Sequence, residues 1–291
     1  MTTGARLFLV DGSSNLYRAY HALPPLSNAQ GLPTHGILGF TSMLLKLLRE
    51  DAPEALAVAF DGPGPTVRHQ LFTEYKANRP PMPDALAQQI PFVHQVLQAM
   101  RVPVLMVSGE EADDILASAA VRAAGEGYRV VLISGDKDLL QVVDDRIVVR
   151  DTMKGKTWGQ AEVEQRYGVS PRQFPELLAL MGDSIDNIPG IPGVGDKTAR
   201  DLLQRFGNLE AVLERAGEIT SPKLREAVRT HTERARMSKR LATIRTDLSL
   251  SRGPADFHRT APDVPSLLAL FRELGFTRLA EQFSQPTLGG V

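Results

Sequence analysis

An acidic segment that directly follows a short apolar run places the strongest constraint on this chain. Residues 104–107 (Val-Leu-Met-Val) are predicted to form a strand, and they lead into Ser108-Gly109-Glu110-Glu111-Ala112-Asp113-Asp114. Carboxylates are favoured in the first turn of a helix because its unpaired N–H groups and its dipole attract negative charge. That effect accounts for one or two acids, whereas four acids in five residues repel one another unless a cation lies between them. The segment therefore predicts a helix that begins at a metal site.

Further acids follow other apolar runs, and these runs alternate with helical segments. Such alternation is typical of an α/β fold with a doubly wound, mostly parallel central sheet and flanking helices. The C-terminal ends of parallel strands lie at one edge of the sheet, where these folds place their sites. The pattern predicts a single acidic crevice at that edge. The acids that follow predicted strands are Asp11 after residues 7–10, Asp61 after 56–60, and Asp136 and Asp138 after 130–133.

The composition limits the chemistry that the chain can carry out. Its 291 residues, 43% of them hydrophobic and 23% charged, can bury a large core in one domain or two lobes. There is no cysteine, which excludes disulfides and thiolate ligands and fits a cytoplasmic location. The net charge is −1, so a polyanion would have to be bound by local basic patches. The apolar run before Asp11 is too short for a signal peptide, and no segment approaches the ~20 apolar residues of a membrane span.

The sequence predicts two domains and a basic connection. Residues 1–165 are expected to form the α/β domain, and residues 166–291 a helical lobe. Residues 66–100 combine basic side chains with the Pro80-Pro81-Met82-Pro83 run, which predicts a mobile connection that rises off the sheet edge; an ordinary surface loop is the alternative. A helix is expected from residue 84 to 100, with a kink at Pro91. The helices expected in the lobe are 171–181, 196–206, 208–215, 222–244 and 265–283.

A Gly- and Pro-rich turn between two helices, within residues 174–206, suggests phosphate binding. Gly193 and Gly195 allow the backbone to approach a phosphate, and the N–H groups of a helix that begins at Asp196 point towards it. Lys197 adds a positive charge. A helix-turn-helix that only packs is the alternative. Because nothing here would enter a groove, the expected binding is insensitive to base sequence.

A basic run follows this hairpin. Residues 222–245 contain eight Lys and Arg side chains against two Glu side chains. Such a run is usually a solvated helix face, and beside a phosphate-binding hairpin it is equally consistent with contacts to a nucleic acid duplex. Both interpretations stay open.

Nine carboxylates form the candidate metal set. Histidine and cysteine ligand spacings do not accompany them, and oxygen ligands favour hard cations such as Mg²⁺ or Mn²⁺. Each pair alone could be a helix cap or a surface acid, but their clustering at strand ends favours a site. Two ions about 3.5–4 Å apart would activate a water and stabilise the leaving oxygen of a phosphodiester. The nine are Asp11, Asp61, Glu111, Asp113, Asp114, Asp136, Asp138, Asp183 and Asp186.

Several motifs, in order along nearly the whole chain, resemble those of a known family. They are Val-Asp-Gly-Ser-Ser (10–14), Tyr-Lys-Ala-Asn-Arg-Pro-Pro-Met-Pro (75–83), Glu-Ala-Asp-Asp (111–114), Gly-Asp-Lys-Asp-Leu-Leu-Gln (135–141), Leu-Met-Gly-Asp-Ser-x-Asp-Asn-Ile-Pro-Gly (180–190) and Gly-Val-Gly-x-Lys-Thr-Ala (193–199). The family is the N-terminal 5′-nuclease domain of bacterial DNA polymerase I, which is related to the flap endonucleases.

The resemblance implies a PIN-like 5′-nuclease fold with a helical arch and a helix-hairpin-helix-type (H3TH) element. It implies a 5′→3′ exonuclease and flap endonuclease that depends on two or more Mg²⁺ or Mn²⁺ ions. The implied substrates are branched or 5′-flap duplex DNA and RNA–DNA primer junctions, in the bacterial cytoplasm at the nucleoid, with the protein acting as a monomer. Family members continue into proofreading and polymerase regions, so a fragment beside its polymerase domain and a free-standing nuclease both stay open.

The resemblance also assigns roles to single residues. Lys76 and Arg79 would be the catalytic basic pair at the base of the arch, where they stabilise charge on the scissile phosphate. Tyr17 would stack on the terminal base pair, with Arg18 and Arg68 as phosphate contacts. The hairpin would grip the duplex and hold a K⁺ ion, through residues Gly193, Gly195, Lys197 and Thr198.

Two other classes of function compete with this assignment. The first is a non-catalytic module that binds DNA ends or junctions, although a pure binder has no use for so many acids facing DNA. The second is a PIN-like ribonuclease or a small-molecule phosphatase on a similar sheet, although a small substrate needs neither the hairpin nor the basic run.

Overall fold

The computed structural model describes residues 4–284, so the outermost residues of both predicted domains, 1–3 and 285–291, lie outside it. Within that range the chain forms six strands and fourteen α-helices. The strands are β1 Arg6–Asp11, β2 Ala55–Ala59, β3 Val104–Leu105, β4 Arg129–Ile133, β5 Ile147–Asp151 and β6 Lys156–Trp158. The helices are α1 Gly12–Ala22, α2 His35–Asp51, α3 Val67–Leu71, α4 Asp84–Ala87, α5 Ile90–Ala99, α6 Ala112–Gly125, α7 Gln160–Tyr167, α8 Phe174–Met181, α9 Asp196–Phe206, α10 Leu209–Glu214, α11 Pro222–Thr230, α12 Thr232–Ala242, α13 Val264–Glu273 and α14 Thr277–Ser284.

The sheet has the mostly parallel arrangement that the sequence predicts. Its strand order is β3-β2-β1-β4-β5-β6, in which β1 to β5 are parallel and β6 pairs antiparallel with β5. Strand β1 is central, and its side chains alternate between the two faces because successive Cβ atoms of a strand point in opposite directions. Leu7 and Leu9 join one core, and Phe8 and Val10 join the other. The predicted fold class is confirmed.

The core on the Leu7 side continues without interruption into the helical lobe. It includes Ile115 and Leu116 of α6, Leu177 of α8 and Leu203 of α9. This continuity explains how the hairpin is held in a fixed relation to the sheet: the same buried apolar surface covers both.

The last two helices pack against the core on the Phe8 side of the sheet. Phe271 of α13 and Phe283 of α14 join the core on the Phe8 side, together with Leu44 of α2 and Val96 of α5. Near β2, His258 forms an antiparallel bridge with Ala55. The C-terminal segment therefore packs against elements of the α/β domain, and the boundary at residue 165 stays a prediction.

Several predicted elements differ from the structure. Residues 90–99 form helix α5, whose Val93, Val96 and Leu97 are fully buried, so this part of the predicted mobile connection belongs to the core. Pro91 does not kink a helix; it lies in the first turn of α5, where a missing N–H is tolerated. The predicted helices 222–244 and 265–283 are each divided in two, and strand β6 is additional.

Helix length and composition also bear on membranes. Among residues 4–284, no helix combines the length and the apolar character that crossing a bilayer would require.

Candidate metal centre and nucleic-acid interface

Asp11 is the acid at the end of the central strand. It caps α1, where its Oδ1 accepts a hydrogen bond from the N–H of Ser14 at 2.9 Å, and its Oδ2 accepts one from the Ser134 hydroxyl at 2.7 Å. Burial raises the pKa of Asp11 to about 7, although the two hydrogen bonds lower it. The negative charges of Asp136 and Asp61 raise it further. A nearby cation would stabilise the charged form of this carboxyl group, which burial disfavours.

Asp61 links the end of β2 to the acidic start of α6. Its Oδ1 accepts a hydrogen bond from the N–H of Ala112 at 2.9 Å, which is the first residue of that helix. Asp113 then lies in the first turn, and its Oδ1 accepts the N–H of Asp114 at 2.7 Å. Burial raises the pKa of Asp113 well above its usual value, and the charges of Glu111 and Asp114 raise it further.

Two groups of carboxylates have the geometry of cation sites. Among the described residues, each group offers three carboxylate oxygens that lie within 4.8 Å of one another. The first group is on α6 and immediately before it, and the second joins the turn after β4 to the segment after α8. The groups are Glu111, Asp113 and Asp114, and Asp138, Asp183 and Asp186.

The second group is built on two tight turns. In the turn after β4, Asp136 accepts the N–H of Asp138 at 2.9 Å, which holds the two acids side by side. Burial raises the pKa of both, and the charge of Asp186 adds to it in each case. In the other turn, Asp183 forms an ion pair with Lys137 at 2.7 Å.

Two basic side chains reach into the acidic centre from residues 76–79. The Nζ atom of Lys76 is 2.9 Å from Glu111 and 3.8 Å from Asp186, and Arg79 donates to Asp186 at 2.5 Å. Burial opposes the charge on Lys76, but Glu111, Asp113 and Asp186 outweigh it and raise the pKa to about 12. Lys76 has a φ of 56°, a strained value for this residue type, and its N–H is fixed by the carbonyl of Asp186 at 3.0 Å. The backbone thus holds this ammonium group against the acids.

Two clefts of about 490 and 440 Å³ meet at this centre. Both are lined by Ser14, Asp136 and Ile185. The larger cleft, which we call the arch-side cleft, is also lined by Asp11, Tyr17, Asp61, Lys76, Arg79, Glu111 and Asp113. The other, the hairpin-side cleft, is also lined by Arg18, Lys137, Asp138, Lys154, Lys156, Trp158, Asp183 and Asp186. Of the acids that the sequence singled out, Asp136 lines both clefts, the others line one or the other, and Asp114 lines neither.

The predicted DNA contacts near the clefts differ in accessibility. Tyr17 is 44% exposed on α1 and lines the arch-side cleft, so its ring is available for stacking. Arg18 lines the hairpin-side cleft but forms an ion pair with Asp151 at 3.0 Å. A phosphate would have to compete with that carboxylate.

The prediction that Arg68 contacts phosphate is not supported by its surroundings. Its side chain is only 9% exposed, and it donates to Asp114 at 2.6 Å and to Glu111 at 3.0 Å. Two backbone carbonyls, of Leu241 and Thr243, accept its other donors at 2.9 Å each. Asp114, in turn, accepts Arg68 with both oxygens, so it faces this guanidinium as well as the acids of its group.

The predicted phosphate-binding residues of the hairpin, Gly193, Gly195, Lys197 and Thr198, are not among the residues that line the two clefts. Asp183 and Ile188 pair through both backbone hydrogen bonds at 2.8 Å, and the turn leads to α9, which begins at Asp196. Gly193 has a φ of 81°, and nothing lies within 4 Å of an added Cβ there, so its role is conformational freedom. Lys197 is exposed in the first turn of α9, where the helix N–H groups also point outwards.

The basic run 222–245 is partly neutralised within the protein. Arg236 pairs with Glu210 at 2.7 Å, Lys239 with Glu176 at 2.6 Å, and Arg245 with Glu110 at 2.5 Å. The exposed members that could face a polyanion are Lys223, Arg229, Arg234 and Arg240. The charge available for binding is smaller than the sequence alone suggests.

Two side chains of the centre carried no assigned role in the sequence analysis. The buried Tyr75 hydroxyl donates to Glu111 at 3.1 Å and to Asp186 at 3.3 Å, and so connects the two acidic groups. Lys137 neutralises Asp183. In the sequence, only the position of Tyr75 next to Lys76, and that of Lys137 between Asp136 and Asp138, indicated a place in the centre.

The centre fits a divalent cation. Asp138 Oδ1 is buried and has no hydrogen-bond partner among residues 4–284, which is costly unless a cation takes that place. The raised pKa values of Asp11, Asp113, Asp136 and Asp138 report the same shortage of positive charge. Carboxylate oxygens without histidine or thiolate favour a hard cation.

Sequence profiles of one family cover most of the chain. The 5′-3′ exonuclease N-terminal resolvase-like domain matches residues 6–168, and the 5′-3′ exonuclease C-terminal SAM fold matches residues 169–265. The chain belongs to the 5′-3′ exonuclease family of nucleases. The two matched regions divide close to the predicted boundary at residue 165.

Curated relatives agree with this assignment. The chain is 37% identical over 276 residues to the 5′-3′ exonuclease of Aquifex aeolicus, covering 95% of this chain and 94% of the relative. It is 43% identical over 286 residues to the DNA polymerase I of Bacillus caldotenax, covering 97% of this chain but 33% of the relative. The chain thus spans about a third of the length of the DNA polymerase I proteins it matches.

Solved structures share the fold. The T5 D15 protein co-crystallised with metal ions superposes with a TM-score of 0.71 at 20% identity, over 96% of this chain and 100% of that one. The catalytic core of Rad2 in complex with a DNA substrate gives a TM-score of 0.67 at 16% identity, over 99% of this chain and 94% of that one.

Proposed function

We propose that the chain is a divalent-metal-dependent, structure-specific 5′→3′ exonuclease and flap endonuclease on branched duplex DNA. One observation carries the proposal: two groups of metal-competent carboxylates and the basic pair Lys76 and Arg79 lie along two clefts that meet at Asp136. A module that only binds DNA would place basic side chains at such a junction, without an excess of buried acids beside them.

The residues divide the work as follows. Glu111 and Asp113 in one group, and Asp138, Asp183 and Asp186 in the other, would hold two divalent ions, with Asp11, Asp61 and Asp136 orienting their bound waters. When bound, such ions activate a water and neutralise charge on the leaving oxygen. Lys76 and Arg79 bind the non-bridging oxygens of the scissile phosphate and stabilise its developing charge.

Other surfaces would position the substrate. The exposed ring of Tyr17 stacks on the terminal base pair at the arch-side cleft. Gly193, Gly195, Lys197 and Thr198 bind the duplex backbone at the hairpin through N–H groups and one positive charge. These contacts do not read bases, so the enzyme recognises the branch rather than a sequence.

The relatives suggest the setting of this activity. The polymerase I proteins support a role beside a polymerase region of the same polypeptide, removing RNA primers and displaced flaps. The proposal includes a monomer in the bacterial cytoplasm at the nucleoid, and a K⁺ ion between the hairpin and a phosphate.

A flap cleavage assay tests the proposal. A 5′-labelled flap duplex is incubated with the protein in Mg²⁺, in Mn²⁺ or in EDTA, and a matched all-RNA flap serves as a second substrate. We expect metal-dependent cuts near the junction of the DNA substrate. Asp138→Ala should abolish cutting and keep duplex binding, because the hairpin is unchanged. Tight binding without cutting would indicate a binding module, and cutting of the RNA substrate alone would indicate a ribonuclease.

A further inference from the structure

Gln141 ends the Gly-Asp-Lys-Asp-Leu-Leu-Gln motif but lines neither cleft. Its side-chain amide instead binds the backbone that follows α12: Nε2 donates to the carbonyl of Ala242 at 3.0 Å, and Oε1 accepts the N–H of Ile244 at 2.9 Å. Both ends of the amide are used, as they are when two strands pair. Gln141 lies three residues after the metal-site acid Asp138. Its side chain therefore hydrogen-bonds to the segment 241–248, which we call the strap.

Arg68 holds the same strap from the other side. Its Nε and Nη2 atoms donate to the carbonyls of Leu241 and Thr243, and its Nη1 atom donates to Asp114 and Glu111. One buried guanidinium therefore joins the strap directly to the first group of carboxylates.

The strap is also bound along helix α6. The N–H of Arg245 donates to Asp114 at 2.7 Å, and the N–H of Leu248 donates to the buried hydroxyl of Ser118 at 3.1 Å. The Ser118 hydroxyl donates to the carbonyl of Arg245 at 3.3 Å. The strap is therefore fixed to α3 through Arg68, and to α6 and the turn after β4, which both carry metal-site acids.

Helix α12 itself is fixed to the hairpin through Ser238 and Arg234. The N–H of Gly190 donates to the fully buried hydroxyl of Ser238 at 3.1 Å, and Arg234 donates to the carbonyl of Pro189 at 3.4 Å. From Ser238 to the end of α12 at Ala242 is about 6 Å of helix, given the ~1.5 Å rise per residue. A short rigid path therefore connects the hairpin turn with the strap.

We propose that α12 and the strap form a spacer that sets the distance between the hairpin and the metal centre, and that Arg68 and Gln141 are positioning residues that lock it. The inference rests on the proposed nuclease function. In this proposal the spacer determines the position and the rate of cutting of a bound strand. The affinity for the duplex depends on the hairpin and not on the spacer. A displacement of about 1 Å between bound substrate and catalytic groups can lower a rate ~10²-fold.

Gln141→Met tests the spacer, because it keeps the side-chain length and removes both hydrogen bonds to the strap. Gln173→Met is the matched control: the Gln173 amide donates to the carbonyl of Gly207 at 2.8 Å and accepts the N–H of Ser170 at 3.1 Å, away from the strap. Cut positions at nucleotide resolution and single-turnover rates are measured on the flap duplex in Mg²⁺, and duplex affinity in EDTA.

For Gln141→Met we expect unchanged duplex affinity, a rate lowered about tenfold or more, and cuts spread over neighbouring positions. The control should cut at the wild-type position. If Gln141→Met cuts at the wild-type position and rate, the proposal is wrong. If the wild-type protein itself does not cut, the proposed nuclease function fails instead, and that result is visible before any variant is made.

Arg68→Lys distinguishes positioning from phosphate contact. A phosphate contact would lower affinity and reduce the salt slope of binding by about one, whereas a positioning residue leaves both unchanged and slows cutting. Loss of affinity with a smaller slope would remove Arg68 from the spacer. Thermal melting checks that each variant is folded. If Arg68→Lys does not fold, Gln141→Met alone tests the proposal.

Discussion

The acids of the centre fall into two kinds, according to whether a cationic side chain neutralises them. Lys76 forms an ion pair with Glu111, Arg79 with Asp186, and Lys137 with Asp183. By contrast, Asp11, Asp113, Asp136 and Asp138 have pKa values that burial and neighbouring acids raise. The unneutralised acids create the demand for divalent ions, and the basic pair lowers the charge that the metal-free protein must tolerate.

This imbalance predicts an unusual pH dependence of stability. An acid whose pKa is higher in the folded state stabilises the fold at low pH, and that stability is lost as the pH rises through the folded-state pKa. For Asp11 that pKa is about 7. We expect the contribution of Asp11 to the melting temperature in EDTA, taken as the difference between the wild-type protein and Asp11→Asn, to fall between about pH 4 and about pH 7, which are the ordinary pKa of an aspartate and the pKa of Asp11 in the folded protein. The lowered pKa of His94 acts in the opposite direction in both proteins, so it cancels in this difference.

Mg²⁺ should reverse the fall, because cations replace the missing protons, and it should raise the melting temperature more at pH 8.5 than at pH 6.5. Asp11→Asn should flatten the profile recorded in EDTA. Differential scanning calorimetry measures each of these. A difference between the wild-type protein and Asp11→Asn that grows as the pH rises would contradict the charge balance described here.

At the scale of single elements, the sequence predicts what depends on local pattern. Strands β1, β2, β4 and β5 and the acidic start of α6 follow from apolar periodicity and from the residues that end each run. The division between α13 and α14, at Gly275 with a φ of 76°, depends on a left-handed residue that periodicity does not show. Strand β6 has only three residues and is partly exposed, so its sequence shows no strand pattern. Its antiparallel hydrogen bonds with β5 stabilise it as a strand.

The hairpin makes a prediction that belongs to this scale. Lys197→Ala should weaken duplex binding equally on unrelated sequences and reduce the salt slope of log K by about one, because one phosphate contact is lost. Lys46→Ala, which removes an exposed lysine from α2, is the control and should leave both unchanged. Fluorescence anisotropy at several salt concentrations gives the slopes. An effect that depends strongly on base sequence would contradict the assignment of the hairpin.

For the whole molecule, long-range contacts decide what the sequence could not. Arg68 meets the carbonyl of Leu241 across 173 positions of sequence, so its burial against the strap could not be predicted from local pattern, and it was expected to face DNA. The strand-end acids were predictable because parallel strands must place their ends at one edge. The return of α13 and α14 to the α/β domain was not, since an amphipathic helix does not indicate which surface it covers.

That return predicts where stability lies. Phe271 of α13 is fully buried and packs near Phe276 and Phe283. Phe271→Ala should lower the free energy of unfolding by about 3–5 kcal/mol, as expected for a large side chain removed from a core. Val121→Ala, at a 41% exposed position on α6, should change it by less than about 0.5 kcal/mol. Urea denaturation measures both, and equal effects would show that the C-terminal helices do not belong to this core.

The central claim is that acids from separate elements form one divalent-metal centre, and anomalous diffraction from Mn²⁺-soaked crystals tests it most directly. We predict anomalous peaks within bonding distance of carboxylates in both groups, one beside Asp113 and the other beside Asp138. Peaks only at other surfaces, or none beside these acids at saturating Mn²⁺, would contradict the account.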